Sequence, residues 1–297
     1  TINTTSNAGL TFTESGNYDL PVKGGGTTVA ADAGTVQFDT TYRARNAHTF
    51  TNNDTDSPVA FNGGVSGHGF SEINLSGNGF EVTGGNWGTS VEVSAGATMN
   101  LTGGGFSVYP TIEGQGEITN TNTGGDTQPV FSREASTFSG TISGNVEFNR
   151  GRGNFNDDDT TILTETNTYT GDTNVNTGTL LVNGTHTGGS DYVVTGSSYF
   201  DRAGNATLGG TGSIALASGA SVTLQGHDHD SSGDVSAGDS VAVLAPGESI
   251  GTFSVSAEQV VFGDISRFAV QIENDTSDLL AITGSLDLTS DANELTV

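Results

Sequence analysis

Residues 90–103 read SVEVSAGATMNLTG and residues 213–226 read SIALASGASVTLQG, and the two align without a gap. Val91, Val93, Met99 and Leu101 of the first match Ile214, Leu216, Val222 and Leu224 of the second. Apolar residues at alternate positions predict strands that each bury one face. Between the two halves, Ala95-Gly96-Ala97 and Ser218-Gly219-Ala220 predict a tight turn. The cadence recurs in TVAADAGTVQF at 28–38, INLSGNGFEV at 73–82, MNLTGGGFSV at 99–108 and NVNTGTLLV at 174–182. Helical periodicity is sustained nowhere.

A strand–turn–strand unit of this size carries two or three apolar positions per strand and cannot bury them alone. Stacked neighbours bury a common core, which is the argument for a solenoid. The fold expected is therefore an all-β parallel β-helix forming a single elongated domain, with one coil per roughly 20–26 residues. An antiparallel sandwich or a propeller would leave the matches between distant segments without a cause.

Composition sets limits on function. With 45 glycines, 32% hydrophobic residues and a net charge of −26, the chain approaches the polarity of disordered segments. Its apolar residues are nevertheless grouped in regular couplets, which disorder does not require. Cysteine is absent, so disulfides and thiolate metal sites are excluded. Eight Lys and Arg against 34 Asp and Glu make nucleic acid and anionic membrane poor partners. No run approaches the ~18 apolar residues of a membrane span, so membrane insertion is not expected. Thr1 in place of a methionine is read as the processed end of an exported chain.

Residues 163–184, LTETNTYTGDTNVNTGTLLVNG, resemble the autotransporter-associated β-strand repeat of bacterial exported passenger proteins. LGGTGSI at 208–214, LAPGESIGTFSV at 244–255 and FAVQIENDTSDLLAITGSLDL at 268–288 are similar to segments that accompany that repeat. The resemblance covers 161–297, while 1–160 share only the cadence. It implies a right-handed parallel β-helix displayed or secreted outside a bacterial cell, and no catalytic residues, because the motif is structural. The expected organisation is N-terminal coils over 1–160 and repeat-like coils over 161–297, interrupted by an Asp-rich insertion at 227–240. The N-terminal TINTTSNAGLTFT at 1–13 alternates like a strand and is expected to cap the solenoid or to support head-to-tail self-association.

The strongest local motif is DHDSSGDVSAGD at 228–239. Against the calcium-loop pattern, Asp228 and Asp230 take positions 1 and 3, Ser232 position 5 and Gly233 the sharp turn at 6. Asp234 would ligate through its carbonyl at 7, Ser236 directly or through water at 9, and Asp239 closes the loop at 12. The closing aspartate is similar to the dockerin variant of the loop. Hard oxygen ligands at alternate positions suit Ca²⁺, although a strand rather than a helix precedes the loop. His227 precedes it and His229 lies within it, and both are read as part of a solvated turn, not as transition-metal ligands.

NDDD at 156–159 follows Arg150 and Arg152. Consecutive aspartates do not place two carboxylates on opposite sides of a glycosidic bond, so the run is read as a turn neutralised by the arginines. Trp87, in the glycine-flanked GGNWGTS, is a candidate sugar platform or a core-edge residue. The function expected is an extracellular structural protein: a surface stalk, a coat or a self-assembling fibre subunit. The alternative is a carbohydrate-binding or polysaccharide-degrading β-helix, with surface glycans as partners.

Overall fold

The computed structural model describes residues 10–13, 20–22, 25–67, 71–83, 86–103, 107–123, 127–151, 158–197, 204–231, 236, 238–248, 250–288 and 293–296. These residues form strands joined by turns, and no helix occurs among them. The chain divides into two compact units, Thr1–Phe131 with Phe138–Val146, and Ser132–Thr137 with Glu147–Val297.

In the first unit, each strand pairs in parallel with the third strand after it. Val36–Phe38 thus continues to Val59–Phe61, then to Gly79–Val82, Thr98–Leu101, Glu117–Asn120 and Thr141–Gly144. A second ladder includes Tyr42–Ala44 and Val65–Gly67. A third runs through Gly25–Val29, His48–Asn52, Glu72–Gly77, Ser90–Val93 and Ile112–Gly114. Three parallel ladders visited in rotation are the winding of a parallel β-helix. Leu10–Phe12 belongs to this pattern, pairing with Val36–Phe38, while residues 1–9 of the expected cap lie outside the described residues.

The register lines up inward side chains into columns. Val36, Val59, Phe80, Met99, Ile118 and Ile142 follow one another through the first ladder, and all are buried. Beside them Phe12 stacks on Phe38 at 4.8 Å between ring centroids, and Phe38 on Phe61 at 5.3 Å. Each such side chain contributes about 1.5–3 kcal/mol by burial, a gain open only to a strand with a neighbouring coil.

The second unit repeats the arrangement. Thr160–Leu163, Gly178–Val182, Ala206–Gly210, Ala242–Pro246 and Ser266–Ala269 form one ladder, with Leu180, Leu208 and Leu244 as a buried column. Thr252–Phe262 is long enough to pair with both Ser213–Ala215 and Ser221–Leu224, so one strand serves two faces.

The repeats mark corners, not whole coils. Gly96 and Gly219, the matched glycines, sit at φ 84° and 89°, a backbone region open to glycine at little cost. The flanking Val91, Val93, Met99, Leu101, Ile214, Val222 and Leu224 are buried. Yet in the 73–82 and 99–108 pair, Met99 stacks on Phe80 and not over its sequence match Ile73. Coil length also varies more widely than 20–26, from the 18 residues between Ile73 and Val91 to the 41 between Ile214 and Val255. The long coil contains the Asp-rich loop.

Candidate metal centre

The loop leaves the second unit after Ser221–Leu224 and returns at Ala242–Pro246. Its neck is closed by a pair of backbone bonds, His227 N–H to the Ser240 carbonyl at 2.9 Å and Ser240 N–H to the His227 carbonyl at 3.1 Å. The segment they enclose, 228–239, is the one that follows the calcium-loop pattern.

The fold brings the side chains of Asp228, Asp230 and Asp239 together, with a carboxylate oxygen of each within 4.8 Å of the others. Asp239 is only 5% exposed, and both of its oxygens accept backbone bonds, from His229 N–H at 2.9 Å and Ser236 N–H at 2.7 Å. Burial pushes its pKa up, but the bonds from His229, the Ser236 N–H and the Ser236 hydroxyl outweigh burial and the repulsion of Asp230. The net shift is downward. Asp239 is therefore ionised at neutral pH and fixed in place. Asp228 accepts the Asp230 N–H at 3.1 Å, which holds the first two acidic positions in one turn. Ser236 is held through its own N–H and accepts the Gly238 N–H at 3.4 Å. Ser232 and Asp234 lie outside the described residues.

Three carboxylates converging from an anchored loop form a hard-oxygen donor set, and these residues fit an oxygen-seeking divalent cation. A carboxylate offers about four lone-pair sites, so Asp239 keeps capacity for a ligand beyond the bonds that anchor it.

The two histidines are less solvated than a free surface turn would leave them. Both are half-buried, and their rings lie 6.2 Å apart at 28°. His229 Nε2 lies 3.1 Å from both the Ser197 carbonyl and Ser240 Oγ, tying the loop to the turn of the preceding coil. Burial first, and His229 second, lower the pKa of His227.

Of the other sequence candidates, Arg150 behaves differently from expectation. It is fully buried and donates to three main-chain carbonyls: from Nη1 to Ser132 at 3.2 Å and Arg133 at 3.0 Å, and from Nε to Asp159 at 3.1 Å. Asp158 and Asp159 of the NDDD run are described, whereas Arg152, Asn156 and Asp157 lie outside the described residues. Trp87 pairs through its backbone with Ser66 and Val108, and its side chain lies outside what is described.

Sequence reasoning missed two polar features. In the first unit, Asp54 is buried and its carboxylate accepts N–H bonds from Gly34 at 2.8 Å, Asp56 at 2.9 Å and Ser57 at 3.0 Å. In the second unit, Tyr169, His186 and Tyr192 share a buried hydrogen-bonded cluster. Each depends on a partner from another coil, Gly34 for Asp54 and Tyr169 for His186, which no short segment of sequence displays. Comparison with protein-family models, curated proteins and solved structures finds no match.

Proposed function

We propose that the chain is an extracellular structural protein, an exported bacterial β-helix that serves as a surface stalk, coat or fibre subunit and takes up Ca²⁺ at its long turn. The observation that carries this reading is how the chain uses its buried charges. Asp54, Arg150, Asp239 and Asp278 each bond to main-chain groups at turns between strands. Charge used in this way fixes the turns that connect the strands, whereas an enzyme keeps its acid and base facing a substrate.

Calcium supports the same role. Asp228, Asp230 and Asp239 would hold the ion, whose charge would offset the repulsion among their carboxylates. Because the loop joins two strands of adjacent ladders, fixing it stabilises the coil it interrupts. Free calcium at 100 times the dissociation constant adds about 2.7 kcal/mol if only the folded state binds.

The test is thermal unfolding and calorimetry with calcium and with chelator, on the wild type and on Asp228→Ala with Asp230→Ala. These two are chosen because Asp239 also anchors the loop backbone. A calcium-dependent rise in Tm that the double variant loses is expected; equal Tm in all four conditions refutes the calcium reading. The structural role is tested separately, by assaying acidic and neutral glycans for cleavage. Turnover that disappears in Asp158→Asn would overturn it.

A further inference from the structure

One level of the second unit's interior is built from polar rings. His186 points inward from Thr185–Thr187 and is only 1% exposed, stacked between Asn167 and Ile214 in the parallel ladder. The Tyr169 ring covers the imidazole at 3.9 Å between centroids and 21° between planes. Gly189 lies against the imidazole, and a Cβ there would lie 2.3 Å from His186 Cε1. Any side chain at 189 would therefore collide with the ring where it now sits.

Its hydrogen bonds define its protonation. Nε2 is 3.0 Å from the Tyr169 carbonyl, which can only accept, so Nε2 carries the proton. Nδ1 then offers a lone pair to the Tyr192 hydroxyl at 2.7 Å. Tyr192 and Tyr169 hydroxyls are 3.4 Å apart, and Tyr169 reaches Thr173 Oγ1 at 2.7 Å. The chain of bonds is satisfied with a neutral ring.

A second proton reverses this arrangement. Nδ1 becomes a donor aimed at a hydroxyl that already donates to it, and the Tyr192 proton must turn to the long Tyr169 contact. The groups facing the ring are Asn167 and Tyr169 from one strand, Ile214 from the next, Gly189 from the turn and Tyr192 from the following strand. The titratable ones are the two phenols, which burial pushes up, Tyr169 to about 12 and Tyr192 well above its usual value. Neither supplies an anion for the imidazolium. Desolvation lowers His186 itself to about 4, only partly opposed by the bond to the Tyr169 carbonyl.

We propose that the Thr173–Tyr169–Tyr192–His186 cluster is an acid-operated latch, in which proton uptake by His186 opens the coil spanning residues 166–194. The sign follows from linkage. The opened coil exposes an ordinary histidine near 6.5, while the closed coil resists the proton until about 4. Between these values the open state binds more protons, so acidification favours opening by roughly tenfold per pH unit.

The test uses the full chain. Ring ¹⁵N shifts of His186 report its tautomer and titration, and hydrogen exchange reports protection of Thr166–Tyr169, Thr185–Thr187 and Tyr192–Val194 between pH 7 and 4. Expected are the Nε2–H tautomer and protection that falls about tenfold per pH unit below 6. In His186→Gln, which cannot titrate, that slope should be absent. An Nδ1–H tautomer, a ring that titrates with no loss of protection, or an equal slope in the glutamine variant overturns the latch. Should that variant fail to fold, the wild-type ring titration and exchange slope still decide.

Discussion

Replacing Arg150 with methionine keeps much of the length of the side chain and removes its donors. In the fold those donors reach the carbonyls of Ser132, Arg133 and Asp159. The Ser132 and Asp159 carbonyls each keep a backbone partner, from Gly151 N–H at 2.8 Å and Thr179 N–H at 3.0 Å. A bond from a charged donor is worth about 1.5–3 kcal/mol net, and shared acceptors argue for the low end. Three carbonyls at that value give a loss of about 4.5 kcal/mol. Hydrophobic replacement of a buried ion pair is often neutral, but here the partners are main-chain groups that remain after the substitution. Arg150→Lys presents a compact charge without the planar fork, so it should recover about half, leaving a loss of about 2 kcal/mol. The assay is urea denaturation followed by circular dichroism, with hydrogen exchange at strands 160–163 and 173–175 to localise the effect. A double-mutant cycle with Asp158→Asn distinguishes backbone bonding from neutralisation of the acidic turn. A loss below about 1 kcal/mol for Arg150→Met, or suppression of the loss by Asp158→Asn or by salt, would refute the reasoning.

Gly114 has φ 105°, and a Cβ there would lie 2.1 Å from the Val93 carbonyl oxygen, whereas Gly96 has φ 84° and open space. Alanine at Gly96 should cost about 1–2 kcal/mol from backbone strain alone, and alanine at Gly114 clearly more; equal denaturation midpoints would contradict the close coil contact. Bonds from the N–H groups of Asp56 and Gly34 hold the Asp54 pKa down, against an opposing effect of burial. Its stabilisation is present above the unfolded value near 3.8 and is lost as pH falls through the lower folded value. Asp54→Asn should flatten that part of the stability profile, and urea titrations from pH 6 to 2 with the same slope in both proteins would count against the role.

Strands and turns are legible in the sequence because both depend on near neighbours. Val91, Val93, Met99 and Leu101 alternate with polar residues, and Gly96 supplies the turn between the pairs, so the corner is written within one short segment. The parallel stacking also follows, since such short strands cannot bury their apolar side alone and the matches between distant segments point to stacked coils. The acidic positions 228, 230 and 239 are readable for the same local reason. Which face each corner occupies is decided only by the tertiary structure. Met99 lies over Phe80 and not over Ile73, because coils of 18 to 41 residues let similar corners fall on different ladders. The same holds for the polar interior. Arg150 lies close to the NDDD run in sequence, yet its guanidinium bonds main-chain carbonyls and not carboxylates, that of Asp159 in the run and those of Ser132 and Arg133 that stacking brings beside it. His186 and Tyr169 are 17 residues apart and meet only because their strands pair in register. Alternation specifies which side of a strand is buried, but stacking determines what that side meets.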